Sequence, residues 1–311
     1  MKTVVLDGRP LNPGDLSWDW LGEIGEYKVY DSTTPEELEE HMGDAEIIIN
    51  NKVVFDKSVI ERFPNIKYMG ITATGYNIID IQESTKRGIV VTNAPAYSTM
   101  AVAQHTFALM LEIFSKAAAH IDSVKRGDWA NSPDFCYTVD RVNEIMGKTL
   151  GIIGCGSIGT NVAAIARAFG MNVLICSRTK RDGYIELDEL LEKSDVITLH
   201  CPQTDKTKGI INKDAISHMK DGVVIINTAR GGLVKDKDLA DALNSGKVGA
   251  YGADVMSKEP PEKDNPLISA KNTYITPHIA WASYEARKRL MDITRDNLMS
   301  FLNGSPKNKV N

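Results

Sequence analysis

A chain of 311 residues has room for about two domains, and its 42% hydrophobic and 25% charged content is that of an ordinary globular protein with a packed core. The net charge of −5 gives no electrostatic reason to expect nucleic acid or an anionic membrane as a partner. No segment approaches the roughly 18 consecutive apolar residues of a membrane span, and Met1–Asp7 reads as a short strand entering a turn rather than a signal peptide.

In chain order, apolar strand-like runs alternate with helical patterns. That alternation predicts parallel α/β architecture. The first part offers strands at Thr3–Leu6, Glu46–Asn50 and Tyr68–Thr72, with helical stretches such as Pro35–His41 between them. Ser98–His120 is apolar and alanine-rich, with Ser98 or Thr99 as N-cap, and reads as a helix of several turns linking two domains. Gly127–Asn143 is polar and aromatic without clear periodicity, an extended arm or a surface loop. Six strands follow, at Thr149–Gly154, Asn172–Cys176, Asp195–Cys201, Val223–Thr228, Tyr251–Val255 and Tyr274–Thr276. Six strands in a doubly wound sheet suit dinucleotide binding. The tail from Ser283 is helical in pattern and is expected to cross back onto the first domain. The four cysteines (Cys136, Cys155, Cys176, Cys201) lie far apart without CxxC or zinc spacing, which suits a reducing cytosol. No cluster has metal-ligand spacing, so no metal is expected.

Leu150–Gly159 is a strand running into GxGxxG, and the alanine-rich stretch after it reads as a helix. The motif alone is weak, but here it has a strand before and a helix after. Gly154 permits a tight turn, Gly156 lets the backbone approach a pyrophosphate, and Gly159 lets helix and strand pack closely. The helix N-terminus offers N–H groups and partial positive charge to phosphates. The bland reading is a glycine-rich turn without ligand.

An NAD site usually carries Asp or Glu at the end of the second strand, where it binds the ribose 2′-hydroxyl. Here that place is held by Ser177, followed by Arg178, Thr179, Lys180 and Arg181. An acid would repel a 2′-phosphate, whereas Ser177, Arg178 and Lys180 can bind one. A charge-assisted hydrogen bond is worth about 1.5–3 kcal/mol, which makes roughly 10- to 100-fold preference available. NADP(H) is therefore the favoured cofactor, with NAD(H) possible. The alternative is a solvated basic loop.

Three later residues carry chemistry. Arg230 comes shortly after the apolar run Val223–Asn227 and is followed by Gly231 and Gly232. Glu259 precedes Pro260, and His278 follows Pro277. Each comes after a strand-like run, so all three could meet at one edge of a parallel sheet. A guanidinium can grip an α-keto acid by its carboxylate. An imidazolium can donate a proton to the forming alkoxide, and a carboxylate beside it favours the protonated form. Taken singly, Arg230 could be a surface cation, Glu259 a turn residue and His278 a loop histidine; the cofactor loop in the same chain favours a cleft. His105 and His120 read as structural.

Several motifs in order identify a resemblance. They include Leu11-Asn12-Pro13-Gly14-Asp15-Leu16-Ser17-Trp18, Ala73-Thr74-Gly75-Tyr76-Asn77, Ala103-Gln104-His105, Ser132-Pro133-Asp134-Phe135-Cys136 and Thr276-Pro277-His278-Ile279-Ala280-Trp281. Over nearly its whole length the chain resembles the D-2-hydroxyacid dehydrogenases, and within them the hydroxypyruvate reductase (glycerate dehydrogenase) branch. The resemblance implies two Rossmann-like domains with doubly wound parallel sheets and an interdomain cleft. Residues 1–98 plus 283–311 would form the substrate domain and 99–282 an inserted dinucleotide-binding domain.

It also implies roles. His278 would be the general acid for keto-acid reduction, Glu259 its partner, and Arg230 the carboxylate grip. Lys52, Trp281 and the backbone near Thr74 and Gly75 would also face substrate. Asp254 would accept a hydrogen bond from the nicotinamide carboxamide. Thr228 and Ala229 would line the nicotinamide side, with Val102, Ala280 and His278 as further cofactor contacts. Pro202 and Thr207 would lie beside the adenosine half, and Ser157 and Ile158 in the phosphate turn. Ser177 departs from the acid usual in NAD-preferring members. The expected reaction is reduction of hydroxypyruvate and glyoxylate, by a cytoplasmic homodimer formed through the arm and the helix near Thr99–His120. Other keto acids remain open: pyruvate, or a branched or aromatic one. So does phosphonate oxidation on the same scaffold. A nicotinamide-sensing corepressor shares the fold and the Arg–Glu–His set but typically carries extra terminal segments, and the end at Asn311 lowers that reading.

Overall fold

The structure, a computed structural model, describes residues 1–179 and 181–311. The chain divides into two compact units, residues 1–98 with 282–311, and residues 99–281.

The first unit holds a five-stranded parallel sheet built from β1 (Thr3–Val5), β2 (Tyr27–Val29), β3 (Ile47–Asn50), β4 (Tyr68–Ile71) and β5 (Val90–Thr92). Its order is β2-β1-β3-β4-β5. The central strands β3 and β4 are buried at every position, as expected for strands covered on both faces. β2 and β5 escape the sequence pattern because each is only three residues long and lies at an edge. The tail forms the helix Tyr284–Leu302, N-capped by Ser283, whose Oγ accepts from the Ala286 amide. It lies in this unit: the Phe301 ring packs 4.8 Å from that of Tyr68, and Asn297 Nδ2 donates to the Asn93 carbonyl at 2.8 Å.

The second unit holds a six-stranded parallel sheet of β6 (Thr149–Ile153), β7 (Asn172–Cys176), β8 (Val196–Leu199), β9 (Val223–Asn227), β10 (Val248–Ala253) and β11 (Thr273–Ile275). The order is β11-β10-β9-β8-β6-β7. Four of the six strands fall inside the runs expected from the sequence, while β10 begins at Val248 rather than Tyr251 and β11 at Thr273 rather than Tyr274. Both faces are covered by apolar clusters, one including Leu199, Ile225 and Leu239, the other Phe107, Ile152, Val162 and Ile226. Numbered within their own units, both sheets run 2-1-3-4-5, the second with a sixth strand added. Strand order therefore reverses between β6 and β8, and ligands of such sheets bind beyond the carboxyl ends at that point.

The long helix differs from expectation. It spans Thr99–Ser115, breaks at Lys116, and resumes as Ala117–Lys125. Lys116 has φ 52°, a left-handed conformation unusual for a residue with a side chain. Its ammonium bonds the Tyr274 hydroxyl and stands 4.9 Å from the centre of that ring. No glycine or proline marks the break in the sequence; a tertiary contact of the Lys116 side chain accompanies it. Residues 127–143 contain no helix or strand. No helix of the described residues is long and apolar enough to cross a membrane.

Candidate active site

The glycine loop leaves β6 at the strand-order reversal. Gly154 has φ 94°, and a Cβ there would stand 2.5 Å from the Cys201 amide nitrogen in the chain leaving β8. A Cβ on Gly159 would stand 2.3 Å from the Gly154 carbonyl oxygen, so helix and turn require glycine to meet this closely. A Cβ on Gly156 would meet nothing within 4 Å. The helix Ser157–Ala168 starts at Gly156 with no side-chain cap, and Ser157 and Ile158 form its first turn. Open space at Gly156 before a helix end uncapped by any side chain fits a pyrophosphate.

Around this loop, β7 ends in Cys176 and is followed by half-buried Ser177 and exposed Arg178 and Thr179. Lys180, the second cation assigned to a 2′-phosphate, lies outside the described residues. After β8, the Thr207 hydroxyl donates to the Pro202 carbonyl at 2.6 Å and accepts from the Thr204 amide at 2.8 Å, which fixes this turn. Val102 and Thr228 come together through Thr106, whose hydroxyl bonds the Val102 carbonyl at 2.9 Å and Thr228 Oγ1 at 3.0 Å.

Arg230, Glu259 and His278 follow the neighbouring strands β9, β10 and β11, at one edge of the sheet. His278 Nδ1 donates to Glu259 Oε2 at 2.6 Å. Glu259 Oε1 accepts the Met256 amide at 3.0 Å. Both side chains are about one-third exposed. The Nδ1 bond assigns one ring nitrogen to the carboxylate and leaves Nε2 for exchange with a reactant. Arg230 is exposed, and its Nη1 donates to the Ala229 carbonyl at 2.7 Å. Gly231 presses its loop against the Glu259 loop: a Cβ there would stand 1.9 Å from the Met256 carbonyl carbon.

Asp254 is 1% exposed. Its Oδ1 accepts Thr276 Oγ1 at 2.6 Å and the Ile279 amide at 2.8 Å, and its Oδ2 accepts the Ala280 amide at 2.7 Å. It thus clamps the turn that presents His278, which has φ 57°, and leads to half-buried Trp281. Sequence reading passed over Asn227. Its side chain is buried, accepts the Ala229 amide at 3.1 Å and donates to the Arg230 carbonyl at 3.0 Å, so it shapes the Thr228–Arg230 loop. The only available signal was a polar residue closing an apolar strand.

In the first unit, Lys52 follows β3, and Thr74 and Gly75 follow β4, at the carboxyl edge of that sheet. Asp7, after β1, accepts the Asn51 and Lys52 amides at 2.7 and 2.6 Å. Burial pushes its carboxyl above the usual range. The Thr74 hydroxyl donates to the Ala94 carbonyl at 2.9 Å, and Asn93 Nδ2 donates to the Thr74 carbonyl at 2.8 Å.

Residues 107–280 match the family described as D-isomer specific 2-hydroxyacid dehydrogenase, NAD binding domain. The hydroxypyruvate reductase of Blautia hydrogenotrophica is 50% identical over an alignment of 321 residues that covers 100% of each chain. The glycerate dehydrogenase of Methylorubrum extorquens is 41% identical over 312 residues, 99% of this chain and 98% of the relative. A solved glyoxylate reductase from Paecilomyes thermophila is 31% identical with a TM-score of 0.83, over 100% of this chain and 98% of that one.

A parallel sheet with a glycine-rich turn at its order reversal and an imidazole–carboxylate pair on the same edge suits nicotinamide chemistry, and the relatives make the chain an oxidoreductase. The chain belongs to the D-isomer specific 2-hydroxyacid dehydrogenases. Its reaction moves a hydride between a nicotinamide cofactor and a small 2-keto or 2-hydroxy acid.

Proposed function

We propose that this enzyme reduces hydroxypyruvate to D-glycerate, and glyoxylate to glycolate, with NADPH favoured over NADH. The observation that carries the reading is the 2.6 Å bond from His278 to Glu259 on the edge that also bears Arg230. The cofactor supplies the hydride. In this reading Arg230 holds the substrate carboxylate and polarises the keto oxygen. His278 Nε2 delivers the proton to that oxygen as it becomes an alkoxide, and Glu259 stabilises the imidazolium before transfer. Lys52, Thr74, Gly75 and Trp281 are further substrate contacts. The substrate preference rests on similarity to the hydroxypyruvate reductase and glycerate dehydrogenase.

The nucleotide contacts are Val102, Gly154, Gly156, Ser157, Ile158, Gly159, Pro202, Thr207, Thr228, Ala229, Asp254 and Ala280. Preference for NADPH rests on Ser177, Arg178 and Thr179, where a carboxylate would exclude the 2′-phosphate. A homodimer is supported by large apolar side chains exposed at Ile121, Val124, Trp129, Phe135, Val139 and Val142. Four free cysteines support a reducing compartment, the cytoplasm.

The test is steady-state oxidation of NADPH and NADH with hydroxypyruvate, glyoxylate, pyruvate and 2-ketoisovalerate. Fastest turnover is expected with hydroxypyruvate and NADPH. Turnover confined to the branched acid would overturn the substrate assignment, and a higher kcat/KM with NADH would overturn the cofactor preference.

A further inference from the structure

His105, on helix Thr99–Ser115, reaches the turn that presents His278. Its Nε2 lies 2.8 Å from Thr276 Oγ1 and 3.6 Å from Asp254 Oδ1. Thr276 Oγ1 has one proton and two acceptors within range, Asp254 Oδ1 at 2.6 Å and the Ala253 carbonyl at 3.3 Å. The shorter bond to a carboxylate is the stronger. With its proton committed there, the hydroxyl can only accept from His105, so Nε2 of His105 carries the hydrogen. A directed chain results: His105 Nε2–H to Thr276 Oγ1–H to Asp254 Oδ1.

Asp254 also accepts the amides of Ile279 and Ala280, the two residues directly after His278. His278 itself sits at φ 57°, a conformation that persists in a residue with a side chain only when its surroundings hold it. Without His105, Thr276 Oγ1 loses the N–H that holds it from the helix side, and its position against Asp254 Oδ1 is less firmly fixed. The clamp on the His278 turn then loosens.

We propose that His105 is a positioning residue for His278, acting through Thr276 and Asp254, although it belongs to a helix that carries none of the acid–base pair. The proposal rests on the reading of His278 as the proton donor.

The test uses the full chain with NADPH and whichever of hydroxypyruvate, glyoxylate or pyruvate it turns over fastest. His105→Leu, His105→Gln, Thr276→Val and the double variant His105→Leu/Thr276→Val are compared with His278→Ala, each first checked for native circular dichroism. His105→Leu is expected to lower kcat about 10- to 100-fold, as displacement of a reacting group by about 1 Å does. Its nucleotide Kd should stay within about twofold of the parent's, and the isotope effect from 4-deuterated NADPH should rise. His105→Gln returns an N–H donor and should restore most of kcat. The double variant should be no slower than the worse single one, because both changes break one chain. If His105→Leu does not fold, Thr276→Val against Thr276→Ser carries the same comparison. Unchanged kcat in His105→Leu, equal loss in the Gln variant, or multiplying losses in the double variant would overturn the positioning role. Should His278→Ala keep full turnover, the acid–base reading itself fails; an inactive His278→Ala beside a normal His105→Leu defeats this inference alone.

Discussion

Ser177 holds the place where a ribose-binding carboxylate would stand, and the consequence is measurable. Ser177→Asp puts a negative charge where the 2′-phosphate is proposed to bind. The ratio of kcat/KM for NADPH over NADH is expected to fall roughly 10- to 100-fold, the worth of one charge-assisted hydrogen bond. An unchanged ratio would mean that the loop after β7 does not meet the nucleotide. His200 sets a second expectation. Part of the residue reaches solvent, but its Nε2 is buried and has no hydrogen-bond partner among the described residues. Burial holds its pKa down to about 4. An unfolded histidine titrates near about 6.5, so on acidification the unfolded chain takes up this proton first. Stability linked to His200 is therefore complete above about pH 6.5 and is lost as pH falls towards about 4, by up to roughly 3 kcal/mol. Urea midpoints of the parent and His200→Leu at pH 7.5 and 4.5 check this: the parent should lose more stability than the variant over that interval.

At the scale of elements, the contact between the glycine turn and its helix is the tightest point of the nucleotide loop. A Cβ on Gly159 would stand 2.3 Å from the Gly154 carbonyl oxygen, which belongs to backbone and cannot swing aside. Gly159→Ala is expected to cost about 1–3 kcal/mol in stability, the usual penalty of overpacking. It should also weaken NADPH binding by shifting the helix N-terminus. Denaturation midpoints and nucleotide fluorescence titration read both effects; an alanine variant with the parent's affinity would show that the helix tolerates the shift. This loop was legible before any coordinates, since strand, spacing and helix all lie within some twenty consecutive residues. The break at Lys116 was not. A lysine gives no local reason to leave the helix, and the contact with Tyr274 that accompanies the break comes from 158 residues away. β2 and β5 were missed for a related reason: three residues at an edge are too few for a period to show.

Over the whole molecule, two sheets of the same strand order serve different ends. The second carries the nucleotide loop and the His278–Glu259 pair, while the first presents Lys52 and Thr74 at its carboxyl edge. Binding of the favoured nucleotide at about 100 times its Kd should stabilise the native chain by about 2.7 kcal/mol. Thermal melts with equal NADPH and NADH should therefore separate, the larger shift with NADPH. Association is a further property at this scale. Phe135 is 89% exposed in the single chain, within a segment without helix or strand. If that segment forms the proposed dimer, Phe135→Asp should shift the mass measured by light scattering from two chains towards one. A monomeric parent would remove the proposal.

Local signals were enough for the class of the fold, the glycine-rich turn and the residues that end up on one edge of the second sheet. Parallel strands buried on both faces must be apolar runs, and a phosphate turn must place its glycines at set intervals; both constraints act between near neighbours in the chain. Sequence could also set Arg230, Glu259 and His278 after successive strands, and so at one edge. It could not say that Asn227 shapes the Arg230 loop, or that His105 reaches Asp254 through Thr276. Those bonds join residues brought together by strand order and helix packing, and a hydrogen bond formed across 171 positions leaves no period in the chain that makes it.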